Sequence, residues 1–87
     1  MYKVLYSQLA LKELRKLDKN TRKFILAWIE KNLVDCTNPR QHGKALSANR
    51  SGQWRYRIGD YRLLVYIKDD ELIILVVSAG HRKDIYR

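Results

Sequence analysis

Between Trp54 and Ala79 the chain runs through three β-rich stretches parted by two pairs of turn residues. That punctuation limits what the chain can fold into more than any other feature. Trp54 to Ile58 is followed by Gly59-Asp60, Tyr61 to Lys68 by Asp69-Asp70, and Glu71 to Ala79 closes the series. Two-residue turns between β-rich runs signal hairpins, so the segment reads as a three-stranded meander. A turn at Gly59-Asp60 sets Ile58 opposite Tyr61, Tyr56 opposite Leu63 and Arg57 opposite Arg62. Carried through Asp69-Asp70, the same register pairs Lys68 with Glu71 and Arg62 with Val77, and leaves Ala79 and His81 on the face of Arg62. Side chains alternate between the faces of a strand. Arg55, Arg57 and Arg62 therefore share one face, while Tyr56, Ile58, Tyr61, Leu63, Val65 and Ile67 form an apolar face able to pack on helices.

Upstream, Tyr2 to Tyr6 alternates as a short strand, and Ser7 is placed to cap a helix over Gln8 to Leu17. Ala10, Leu14 and Leu17 form its apolar stripe, with Leu11 beside them. Asn20 can cap a second helix from Thr21 to about Val34, with Phe24, Ile25, Trp28, Ile29 and Leu33 as its apolar side. The short connection implies a helical hairpin. Asn38-Pro39 ends the helical region, and Gln41 to Gly52 reads mostly as loop. The order β-α-α-β-β-β gives a small α+β domain over residues 1–87, a largely antiparallel sheet with the hairpin on one face.

Charge narrows the partners. Eighteen Lys and Arg against nine Asp and Glu leave a net charge of +9 on 87 residues. The excess is local: Arg40, Lys44, Arg50, Arg55, Arg57 and Arg62 face one acid, Asp60, between Thr37 and Arg62. Clustered base of this kind points to an anionic ligand such as nucleic acid. A single cysteine, Cys36, rules out an intrachain disulfide framework, and the sequence has no Cys/His cluster with zinc spacing. The N-terminus lacks a basic stretch followed by an apolar run, and the longest apolar run is Leu72 to Val77. A cytoplasmic location with no membrane contact is the expectation.

Like charges placed directly opposite on a sheet repel. A fold that sets Arg57 against Arg62 therefore has a use for an anion there. Arginine binds phosphate bidentately, and histidine exchanges protons near neutral pH. With tyrosine in the tail, this set suits RNA cleavage by attack of a ribose 2′-OH on the adjacent phosphate, a reaction that needs no cofactor. Other residues read as structural. Trp28 and Trp54 suit core or rim packing, Tyr2 and Tyr6 strand packing, and Cys36 a small buried hydrophobe. His42, in a polar loop, carries little signal of its own.

The stretches Gly43-Lys44-Ala45-Leu46, Trp54-Arg55-Tyr56-Arg57-Ile58-Gly59-Asp60-Tyr61-Arg62 and Gly80-His81-Arg82-Lys83-Asp84-Ile85-Tyr86 resemble the RelE/ParE superfamily of type II toxins, with RelE the nearer branch. The resemblance implies a toxin that cuts mRNA in the A site of the 70S ribosome, in contact with rRNA, and is neutralised by a RelB-like antitoxin. It also implies the working positions: Arg62, Arg82, His81 and Tyr86 in catalysis, and Lys44, Arg55 and Arg57 on RNA, with no metal. The strand positions that are lysine in well-known members are arginine here. Arginine stays protonated, which moves the proton-transfer role toward His81, or toward a mechanism resting mainly on electrostatics and substrate positioning. The alternative within the superfamily is a ParE-like toxin that binds and inhibits DNA gyrase without chemistry.

Overall fold

The computed structural model describes residues 1–46 and 52–81. Its elements are β1 (Lys3–Tyr6), α1 (Gln8–Lys16), α2 (Lys19–Asn32), a 3₁₀ turn (Pro39–Gln41), β2 (Lys44–Ala45), β3 (Gln53–Ile58), β4 (Tyr61–Lys68), a second 3₁₀ turn (Asp69–Glu71) and β5 (Ile73–His81). The five strands form one mixed sheet in the order β1-β5-β4-β3-β2. β1 runs parallel to β5, and the other pairs are antiparallel.

Local chemistry sets the helix ends. The Ser7 hydroxyl accepts the Ala10 N–H at 3.0 Å and donates to the Val77 carbonyl at 3.0 Å, so one side chain caps α1 and ties it to β5. The second cap is Asp18 rather than Asn20. Its carboxylate accepts the Thr21 N–H at 2.9 Å, and α2 starts at Lys19. A negative charge favours a helix N-terminus, and the Thr21 hydrogen bonds hold the Asp18 carboxyl below its ordinary range. Ile25, Ile29 and Leu33 are buried at intervals of four, whereas Phe24 is 58% exposed beside the Gly59 turn. Phe24 thus falls outside the buried stripe that the sequence pattern gave it.

The core lies between the helices and one face of the sheet. Ala10, Leu14, Ile25, Ile29 and Leu33 meet Tyr56, Ile58, Leu63, Val65, Ile67, Ile74, Val76 and Ala79. Past the end of β1, α1 takes over the edge of β5: Glu13 Oε1 accepts from Ser78 Oγ at 2.8 Å and from the Ala79 N–H at 3.1 Å. Edge groups left bare there would invite strand pairing, and the carboxylate satisfies them.

The first hairpin keeps the inferred register, with Arg57 opposite Arg62 and Ile58 opposite Tyr61. The second does not. Its turn extends through Leu72, a left-handed residue at φ 55°, so Lys68 pairs with Ile73 instead of Glu71. A bulge between Leu64 and Val65 then adds one residue on β5, and Arg62 pairs with Gly80 instead of Val77. A two-residue slip keeps each side chain on its face, but a one-residue bulge inverts it. Ala79 therefore enters the core, and His81 lies opposite Tyr61 rather than beside Arg62. Residues 41–52, read as loop, also hold the short strand β2.

A cationic cavity at the edge of the sheet

β2 is two residues long and pairs Lys44 with Arg55 and Ala45 with Trp54. Among the described residues, β3 has no outer neighbour from Tyr56 to Ile58. A cavity of about 420 Å³ opens at this edge, lined by Trp28, His42, Gly43, Lys44, Arg55, Arg57 and Arg62. Trp28 comes from α2 and His42 from the loop ahead of β2, while the three arginines reach it from the uncovered face of β3 and β4. Among the described residues the lining holds four basic side chains and no carboxylate.

Gly43 makes the arrangement possible. Its φ is +81°, and a Cβ there would meet the Arg55 carbonyl oxygen, with Trp54 Nε1 at 2.7 Å and Tyr56 Cδ1 at 2.9 Å. Only glycine lets this backbone lie so close to β3. The approach is fixed by four further contacts. Trp54 Nε1 donates to the His42 carbonyl at 2.7 Å, and the Trp28 ring packs on His42 at 5.7 Å and on Tyr56 at 5.5 Å. Tyr56 Oη donates to the Pro39 carbonyl at 2.6 Å, and burial raises its pKa well above the usual tyrosine range.

Lys44, Arg55, Arg57 and Arg62, the cations singled out in the sequence, thus come together. Arg40 does not join them. It forms a two-pronged pair with Asp69 at 2.9 and 3.0 Å and lies 5.8 Å from the Trp54 ring centre. His81 is likewise elsewhere: its ring meets Tyr61 edge-on at 5.5 Å, off the cavity wall. Arg50, Arg82 and Tyr86 lie outside the described residues. His42 and Trp28 are the cavity residues that the sequence pattern passed over. The one signal that could have found His42 is its place next to Gly43-Lys44, because a glycine that must hug a neighbouring strand carries its flanking residues there too.

The comparisons with known proteins agree on one group. The family model described as the ParE toxin of the type II toxin–antitoxin system parDE matches residues 4–86. Toxin RelG of Mycobacterium tuberculosis is 32% identical over 87 residues, which are 99% of this chain and 97% of RelG. Among solved structures, the toxin–antitoxin complex RelBE2 of M. tuberculosis contains a chain that superimposes with a TM-score of 0.81 at 27% identity, covering 93% of this chain and 98% of that one. The intact RelBE complex of E. coli gives a TM-score of 0.74 at 22% identity, covering 93% and 96%. The isolated E. coli RelE toxin gives 0.73 at 22% identity, covering 93% and 84%.

Proposed function

Because this chain belongs to the ParE toxin family of type II toxin–antitoxin systems, we propose that it acts as a toxin by cutting mRNA on the ribosome. The observation that carries this reading is the lining of the edge cavity: Lys44, Arg55, Arg57 and Arg62 around one volume, with no carboxylate among them. Cleavage by a ribose 2′-OH passes through a phosphorane with extra negative charge. Preorganised donors at that charge are the largest single source of rate in such reactions. Arg62 and Arg57, directly opposite each other, supply guanidinium forks to the phosphate. Arg55 and Lys44, paired across β3 and β2, hold the flanking RNA backbone. Arg82 and Tyr86 complete the proposed site from the family resemblance.

The proposed partner in neutralisation is a RelB-like antitoxin. An acidic segment suits the +9 charge, and exposed Leu5 and Tyr66 flank Leu75 on the uncovered sheet face as apolar anchors. Induced expression followed by primer extension on a reporter mRNA, run beside a gyrase supercoiling assay, tests the reading. Cuts at A-site codons support it. Lost supercoiling with intact mRNA overturns it in favour of gyrase inhibition.

A further inference from the structure

We infer that His42 is the proton-accepting residue of the cavity. The inference rests on the nuclease reading above and names a chemical role within it. RNA cleavage needs a group that takes the 2′-OH proton, and a wall of arginines has none to offer, because guanidinium holds its proton at any physiological pH. His42 is the lining residue whose side chain ordinarily exchanges a proton near neutrality. Among the described residues its ring nitrogens make no hydrogen bond to the protein, and its carbonyl alone is engaged, by Trp54 Nε1. The ring is nonetheless held, edge-on to Trp28 at 5.7 Å. An imidazole fixed by a neighbouring ring, with both nitrogens left for a ligand, is what a general base requires.

Among the described residues the charged groups on the cavity wall are all basic: Lys44 from β2, Arg55 and Arg57 from β3, and Arg62 from β4. α2 contributes the neutral Trp28, and the nearby Arg40 is paired with Asp69. Among the described lining residues no carboxylate stands beside the imidazole. In the step itself, neutral imidazole takes the proton from the 2′-OH as the O2′–P bond forms. The P–O5′ bond breaks, its electron pair leaves with the 5′ oxygen, and that oxygen takes a proton from water. The products are a 2′,3′-cyclic phosphate and a 5′-hydroxyl, and the imidazolium returns its proton to solvent.

Single-turnover cleavage on saturated, programmed ribosomes between pH 5.5 and 8.5 tests the assignment. His42→Gln should cut at least about 100-fold more slowly and lose the rise of rate with pH, the range general-base loss produces. His42→Ala should regain pH-dependent cutting when free imidazole is added. Imidazole rescue also guards against misfolding, since a disordered protein gains nothing from the added base. A His42→Gln rate within twofold of wild type overturns the inference. So does a slowed enzyme that keeps the wild-type pH profile, because that behaviour marks a positioning role. A wild-type protein that leaves mRNA on the ribosome uncut defeats the nuclease reading and this inference with it, and that failure is visible before any variant is compared.

Discussion

Gly43→Ala isolates the device that brings the loop against β3. At φ +81° an alanine suffers the left-handed penalty, about 1–2 kcal/mol. Its new methyl also lands on the Arg55 carbonyl oxygen, 2.7 Å from Trp54 Nε1 and 2.9 Å from Tyr56 Cδ1. The carbonyl belongs to a sheet strand and cannot swing aside, so the loop must lift. Lifting breaks the Lys44–Arg55 pairing and the Trp54–His42 hydrogen bond, at about 1 kcal/mol each. The sum is about 3–4 kcal/mol, which for a domain of this size lowers Tm by about 12–30 °C. Gly59→Ala is the control. Its φ is +60°, but the nearest atom to its built methyl is Phe24 Cε2 at 3.9 Å, so strain alone remains and the loss is about 1–2 kcal/mol. Thermal unfolding followed by circular dichroism on both variants gives the comparison. A Gly43→Ala protein that melts no lower than Gly59→Ala would refute the close approach of loop and strand, and with it the placement of His42 and Lys44.

Arg62→Ala should fold normally and cut programmed ribosomes about 10²–10³-fold more slowly, as loss of one preorganised donor does; full activity in a folded variant removes Arg62 from the site. Tyr56→Phe leaves the buried Pro39 carbonyl without its 2.6 Å donor and should cost about 1–3 kcal/mol in urea unfolding. Because burial raises the Tyr56 pKa in the folded protein, its contribution is complete below pH ~10 and falls away above it, so wild type and Tyr56→Phe should converge in stability as pH climbs beyond that point. Arg40 and the Tyr2 hydroxyl, at 2.7 Å, hold the Asp69 carboxyl below its usual range. That stability is present above the unfolded carboxylate value of about 3.9 and is lost as pH falls through the folded one. Asp69→Asn should therefore lower Tm at pH 7 and match wild type near pH 2, and a gap that persists in acid would show the carboxylate charge to be irrelevant.

The sequence reached the first hairpin because a two-residue turn fixes register by itself. Gly59, at φ +60°, supplies the backbone that the turn demands, and every pair from Ile58–Tyr61 to Arg57–Arg62 follows. The second hairpin was not legible for the opposite reason. Asp69-Asp70 looks like a turn, but the chain continues one 3₁₀ turn further and closes on Leu72, a residue with no sequence mark for positive φ. The bulge at Leu64/Val65 is equally silent, since both positions are aliphatic on either register. The helix caps show the same divide. Ser7 follows from its type and place, while Asp18 and Asn20 are both good caps, and the negative charge at the helix start favours Asp18.

What the sequence showed of the site is the part that alternation controls. Arg55, Arg57 and Arg62 share a face because they sit on adjacent strands of a register the turn determines, and the cavity inherits their charge. What it hid is the part that an edge controls. β2 spans only Lys44–Ala45, too short for a period-2 signal, yet it decides where the sheet stops and so where a cavity can open. In the sequence His81 follows the sheet and stands beside basic residues, which points it toward the arginines. The bulge turns it to Tyr61 and leaves the arginines to be met from the other direction, by the loop that Gly43 presses against β3. The cavity therefore owes its loop wall to a glycine's backbone angle as much as to any ionisable group, and of the two described histidines it is His42, not His81, that the fold brings to the arginines.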